Sequence, residues 1–227
     1  MKKLFIFLML SFGFISHANA TVDLTSQAGF DTFSDEIGSA LVYRAVAPAD
    51  PLGLIGFDIA VEGTTASFGG DSVIIPKLKF QKGLPGNFDI AGYYTQLPLT
   101  SVGATGDGTA YGVALSYAIW KGGPVSPALA IRGSYTNADI PGVVGATTTG
   151  VDLEISKGFV LISPYAGIGL ANINTTDKSG NGNNGYNSQV TRYFVGANLN
   201  LKIMDIAFEA GKTGDNNFTT VKLGFRF

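Results

Sequence analysis

From Gly53 onward the chain alternates between apolar and polar positions with a period of two, as strands with two unlike faces do. Ten segments carry the pattern: Leu54–Ser67, Val73–Gln81, Asn87–Leu97, Thr109–Trp120, Ser126–Asn137, Thr148–Lys157, Ser163–Asn174, Gln189–Ile203, Ile206–Thr213 and Phe218–Phe227. In the fourth, Tyr111, Val113, Leu115, Tyr117 and Ile119 oppose Gly112, Ala114, Ser116 and Ala118. In the last, Val221, Leu223, Phe225 and Phe227 oppose Thr220, Lys222, Gly224 and Arg226. Residues 21–52 follow a different rule. Phe30, Phe33, Ile37 and Leu41 recur at helical spacing, which predicts an amphipathic helix over about residues 30–44, with Ser34-Asp35-Glu36 as cap and acidic first turn. Ala40–Val46 also reads as a strand.

Charge sorts onto one face. Away from the strand ends the apolar faces carry none, while the opposite faces carry Asp58, Glu62, Asp89, Asp152, Glu154 and Glu209 together with Lys77, Lys79, Arg132, Arg192, Lys222 and Arg226. Equal numbers of acids and bases fit a packed ionic network, because an unpaired buried charge is costly. A soluble sandwich would instead bury the apolar faces between two sheets and wet the charged ones.

The connections favour a barrel. The even-to-odd links are tight (Lys82–Gly86, Lys121–Val125, Gly158–Ile162, Met204-Asp205). The odd-to-even links are mostly longer (Phe68–Ser72, Pro98–Gly108, Ala138–Thr147, Thr175–Ser188), with Gly214–Asn217 short. An even strand number with short turns at one end and long loops at the other is the outer-membrane pattern, which puts both termini on the periplasmic side. Tyr94, Tyr111, Tyr135 and Tyr193 then fall toward the loops, and Phe57, Phe80, Phe88, Phe225 and Phe227 toward the turns. Two aromatic girdles flanking an aliphatic band are what a bilayer's two interfaces select. The fold class is therefore all-β: a ten-stranded antiparallel up-and-down transmembrane β-barrel, residues 53–227, preceded by a helical segment, residues 21–52. That segment is either a plug in the lumen or a periplasmic flap over the mouth. Small inward positions (Ala114, Ser116, Ala118, Ala128, Ala130, Gly167, Gly169, Ala171) make room for an occupant, and the helix is the candidate.

Residues 1–20 read as a secretory signal: Lys2 and Lys3, the apolar run Leu4–Ile15, and Ala18-Asn19-Ala20 as a cleavage site. Its removal leaves 13 basic against 17 acidic side chains, a net charge of −4 that provides no footprint for nucleic acid. Charged residues make up 14% of the chain against about 25% in soluble domains.

Candidate chemistry is sparse. The chain has no Cys, and its one histidine, His17, lies in the signal. The mature protein thus lacks the usual general base and the Ser-His-Asp arrangement. Asp152 and Glu154 form the nearest carboxylate pair, and they read as partners of Arg132 and Arg192 in a lumen network rather than as a catalytic dyad. Asp177-Lys-Ser-Gly-Asn-Gly182 matches the opening of a calcium loop, but the closing Glu falls at Ser188. The Gly-rich stretch 180–185 joins no strand to a helix, so it is no phosphate cradle. No catalytic residue, cofactor or metal site is expected.

The ending Val221, Leu223, Phe225, Phe227 resembles the C-terminal signal by which bacterial outer-membrane barrels are recognised for assembly. The phrases Pro51-Leu-Gly-Leu-Ile-Gly-Phe-Asp58, Lys82-Gly-Leu-Pro85 and Ser156-Lys-Gly-Phe159 resemble those of a family of small proteobacterial outer-membrane barrels without assigned activity. The resemblance implies a Gram-negative outer membrane, with its lipid and the barrel assembly machinery as partners. It carries over no ligand. Ten strands also resemble the omptin proteases, whose site histidine this chain lacks. The reading is a non-enzymatic barrel with a structural or surface-interaction role, or else a narrow channel gated by the N-terminal helix. The mature chain is expected to need detergent, and a compact detergent-free monomer in sedimentation would exclude the lipid-facing assignment.

Overall fold

The computed structural model describes residues 23–97 and 107–227, so the signal sequence and most of the Pro98–Gly108 link lie outside the described residues. Ten strands form one closed antiparallel barrel: β1 (Phe57–Phe68), β2 (Asp71–Leu84), β3 (Phe88–Leu97), β4 (Gly108–Trp120), β5 (Ala128–Ile140), β6 (Val144–Ser156), β7 (Ile162–Asp177), β8 (Tyr186–Leu201), β9 (Met204–Thr213) and β10 (Asn216–Arg226). Each strand pairs with its sequence neighbours, and β1 closes on β10 through Asp58↔Arg226, Val61↔Leu223 and Thr65↔Thr219. Closure leaves no sheet edge.

The period-two pattern dictates the two surfaces. Val113, Leu115, Val151, Leu153, Ile168, Leu170, Val195 and Phe208 stand exposed on the outside, while the charged positions point into the lumen. From Tyr111 to Ile119 the outer face of β4 is continuously apolar over about 26 Å of strand at ~3.3 Å per residue. At a tilt of ~40° this covers about 20 Å of bilayer, close to the band of a membrane barrel. Water does not support such a surface around a whole circumference.

The loop asymmetry takes another form than expected. The Ala138–Thr147 stretch is a hairpin with only Pro141-Gly142-Val143 between β5 and β6, and β1–β2 and β9–β10 are joined by two residues each. The strands themselves continue past the tyrosine girdle, with an outer face turned polar. Thr147, Thr149, Asn172, Asn174, Asn187 and Gln189 are neighbours in register across β6, β7 and β8. Backbone groups in water need no loop to satisfy them when ladder pairing does so. At the other end, Leu54 and Ile55 belong to the turn entering β1 rather than to the strand.

Among the described residues one helix, α1 (Gln27–Leu41), precedes the strands. It begins earlier than the spacing suggests. Ser26 is the N-cap, its hydroxyl accepting from Gly29 N at 3.2 Å, and no acid sits in the first turn. Ser34 is buried mid-helix, where its hydroxyl accepts from Thr175 Oγ1 at 2.7 Å. The Asp and Glu that follow it serve the barrel rim: Asp35 accepts from Asn216 (2.9 Å) and Glu36 from Gly69 N (3.0 Å).

The direction of this segment reverses the expected placement of the first terminus. Leu24 O accepts from Asn181 and Asn183 of the β7–β8 link, at the loop end, opposite Phe227. Physical chemistry explains the choice. Phe30, Phe33, Ile37 and Leu41 need apolar partners, and near the loops the inner wall supplies them as one cluster, with Phe68, Ile75, Leu97, Ile140 and Val144. Toward the turns the inner wall is ionic. Gly38 faces Ile173 so closely that a Cβ would lie 2.2 Å from its Cγ2. Gly38→Val should cost about 1–3 kcal/mol in denaturant unfolding, whereas Gly133→Ala, with open space around its Cβ position, should leave the midpoint unchanged.

Candidate functional site

Below α1 the chain stays in the lumen as an extended thread, Val42–Pro51, and leaves it at the turn end. No strand is free to pair with it, because the barrel is closed. Its backbone oxygens are instead met by wall side chains. Tyr93 Oη donates to Leu41 O (2.6 Å), Arg192 Nη1 to Tyr43 O (2.9 Å), and Lys79 Nζ to Arg44 O and Ala45 O. Farther down, Ala49 N donates to Ser156 Oγ (3.0 Å) and Leu52 N to the Asp89 carboxylate (3.2 Å). Tyr43 stacks on Tyr93 at 6.1 Å, with Lys79 Nζ 5.0 Å above its ring.

The small inward residues are filled, though by the thread and by neighbouring strands rather than by α1. Ala114 packs against Tyr43, Ala45 and Ala47, and Ala128 and Ala130 pack against Ala49. Gly167 receives the Phe194 ring and Gly169 the Asp152 carboxylate, where an added Cβ would lie 2.2 and 2.1 Å away.

The wall charges form three groups. Glu62 lies 3.0 Å from Lys79 and 3.8 Å from Lys77. Arg132 reaches Glu154 at 2.8 Å and Asp152 at 3.7 Å, and Arg192 reaches Asp152 at 3.0 Å and Glu209 at 3.9 Å. Near the turns, Asp58 is bound by Lys222 (2.7 Å) and Arg226 (3.0 Å). Asp89 stands apart from these cations and serves the thread and Gln81 Nε2 (3.1 Å). All are buried except the partly exposed Arg226.

Two charged members were missing from the sequence reading. Asp205, fully buried, takes Lys222 at 2.8 Å and Asn198 Nδ2 at 2.8 Å. It shares parity with Ala207 and Glu209 but stands beside the β8–β9 turn. Arg44 comes from the thread. Its guanidinium donates to Ser39 O (2.7 Å) and Ala40 O (2.8 Å), the last carbonyls of α1, and lies 4.0 Å over the Phe218 ring. It caps its own helix, as a cation at a helix C-terminus does. With these two included, acids and bases in the lumen remain equal in number.

Asp177 is occupied by its own loop, accepting from Ser179 N (2.7 Å) and Asn183 N (3.0 Å). Among the described residues no group of three metal-ligating side chains converges. Val221, Leu223, Phe225 and Phe227 line the outer face at the closing seam, where Phe227 exchanges two 2.9 Å backbone bonds with Phe57.

No protein-family model matches the chain, and no curated protein matches it by sequence. Solved barrels resemble it in shape. KdgM porin is 12% identical over 76% of this chain and 99% of its own, with a TM-score of 0.39. The β domain of the Bordetella autotransporter BrkA is 10% identical over 76% and 97%, at 0.45. A loop-deletion mutant of OmpT, an outer membrane protein of Vibrio cholerae, is 10% identical over 86% and 72%, at 0.36. Similarity of this degree concerns barrel architecture alone.

Arg132 separates two costs. Arg132→Ala strands Glu154 and should lose about 3–5 kcal/mol. Arg132→Met combined with Glu154→Gln should recover most of that in equilibrium unfolding. Equal losses in the two variants would show that the pair is not the source.

Proposed function

We propose that the protein is an integral outer-membrane barrel held shut by its own N-terminal segment, with a structural or surface-interaction role and no catalytic one. Residues 1–20 are the removed signal, 21–52 the occluding segment and 53–227 the barrel. The observation that carries this reading is the use of wall cations on the thread. Lys79 and Arg192 each bind its backbone oxygens as well as a wall carboxylate. Hollows beside the segment include, among the described residues, one lined in part by Ser39 and Arg44 and one lined in part by Ala47 and Arg132, each with room for about one water. Asp152 and Glu154 are buried against guanidinium groups, which suits structure better than proton transfer.

The outer membrane is inferred from the signal, the apolar outer belt and the aromatic ending. In that orientation the Asn- and Thr-rich strand extensions stand outside the cell and form the surface available to partners. An external ligand is not specified by them.

A second reading, a narrow transport protein with a movable plug, has one observation in its favour. Both cations that hold the thread keep a carboxylate partner if the thread withdraws, so release leaves neither unpaired. Planar-bilayer recording separates the two. The full mature chain should show no conductance steps. A variant lacking residues 21–50, verified as a folded barrel by its circular dichroism, should show them if the thread alone blocks the path. An intact deletion barrel that passes no current would end the transport reading. Steps from the full chain would end the occluded one.

A further inference from the structure

The turn end of the barrel carries side chains that water would not select. Val125 is 92% exposed, Val160 fully exposed, and Leu161 and Ile203 more than half exposed. Turns in water favour Gly, Pro, Asn, Asp and Ser. Val160-Leu161 is a two-residue connection closed by reciprocal 2.7 Å bonds between Phe159 and Ile162. Val160 has φ +34°, in the left-handed region that a β-branched residue rarely enters. Glycine is the usual residue at the first central position of such a turn. Backbone strain and full exposure of an isopropyl group are two costs at one residue. Both are offset if the side chain enters an apolar medium, where its burial is favourable.

The height of the barrel leads to the same place. From Tyr193 in the upper girdle to Ile203 at the β8–β9 turn is about 33 Å along the strand at ~3.3 Å per residue. At ~40° tilt that is about 25 Å, the whole apolar band of a membrane barrel. The turns are therefore flush with the lipid boundary. Lys121 and Lys202 stand exposed at this rim, with no side-chain hydrogen bond or ion pair among the described residues. Lys82 and Lys157 lie at the same level and bind backbone carbonyls. Asp50, an acid at this level, accepts from Gly122 N at 2.7 Å.

We infer that this rim is a binding surface for anionic glycerophospholipid, with apolar turn tips in the acyl boundary and Lys121 and Lys202 on the phosphates. The inference rests on the membrane-spanning reading above. Charge complementarity selects an anionic headgroup, and the unbroken continuity of Trp120 and Phe159 with the lipid-facing belt selects lipid over a protein partner. Lysines at such a level extend their ammonium groups to the interface while their stems remain in hydrocarbon.

Trp120 is the single tryptophan of the chain and sits at this rim, 63% exposed. The mature chain in phosphatidylcholine–phosphatidylglycerol vesicles should show Trp120 quenched by bromines near the glycerol end of the acyl chains and shielded from aqueous iodide. A mid-band probe, Leu115→Trp with Trp120→Phe, should be quenched by bromines near the bilayer centre. If iodide reaches Trp120 while the mid-band probe remains quenched by lipid, the rim stands in water and the inference is overturned. If lipid quenches neither probe, the spanning reading itself fails. Spin-labelled lipids provide a second readout. Lys121→Gln with Lys202→Gln should lower the preference for phosphatidylglycerol over phosphatidylcholine at least about threefold, and an unchanged preference overturns the inference.

Discussion

A peptide threaded through a closed barrel cannot join a sheet. Every strand already has two neighbours, so each backbone oxygen of the thread must find a side chain or remain unsatisfied at a cost of a few kcal/mol. The rest of the lumen follows from that constraint. Tyr93, Lys79 and Arg192 are long donors aimed at the oxygens of residues 41, 43, 44 and 45. The alanines of β4 and β5 are small because the thread passes over them. Each thread-binding cation is also tied to an acid on the wall, which offsets the cost of its burial, whereas Arg44 is held by helix carbonyls and the Phe218 ring.

The lumen is layered along its axis. Near the turns Asp58, Asp205, Lys222 and Arg226 fasten the strands at the seam, since Asp58 comes from β1 and Lys222 and Arg226 from β10. Above them lie the groups centred on Glu62, Asp152 and Glu209. A hydroxyl layer follows, with Thr64 and Thr220 in contact at 3.0 Å across the same seam. The apolar layer that receives α1 comes last. A helix with one greasy side has a single level at which it can dock, and the position of α1 in the mouth follows from that layering.

The barrel was legible in the sequence because period two is an unambiguous signal when it recurs ten times with charge on one face only. The charged positions share one parity for the same reason. What escaped depended on tertiary context. Asp205 shares parity with Glu209, yet a residue beside a turn reads as loop. Arg44 continues the spacing of Ile37 by seven residues, but nothing local says that it will bind the helix that precedes it. The Ala138–Thr147 hairpin was hidden because Pro and Gly signal a turn without saying how close the strands approach on either side. The direction of residues 24–52 depends on which end of the lumen is apolar, and that is a property of several strands together.

Charge follows a different rule at each level, and the differences are those of the surrounding medium. In the lumen acids and bases balance, because ε is low there and an excess charge is unscreened. Among the described residues, Asp23, Asp31, Asp35, Glu36, Asp107, Asp139, Asp177 and Asp215 lie toward the loop mouth with Lys178 and Lys212, each of which is bound to one of those acids at 2.7 or 3.1 Å. Water and salt screen such an excess over about 8–10 Å, so the mouth tolerates it. At the turn rim the sign reverses to lysine. The balance and sign of charge thus change in sequence along the barrel axis. The acidic mouth and the basic rim give its two ends different electrostatic character while its interior stays neutral.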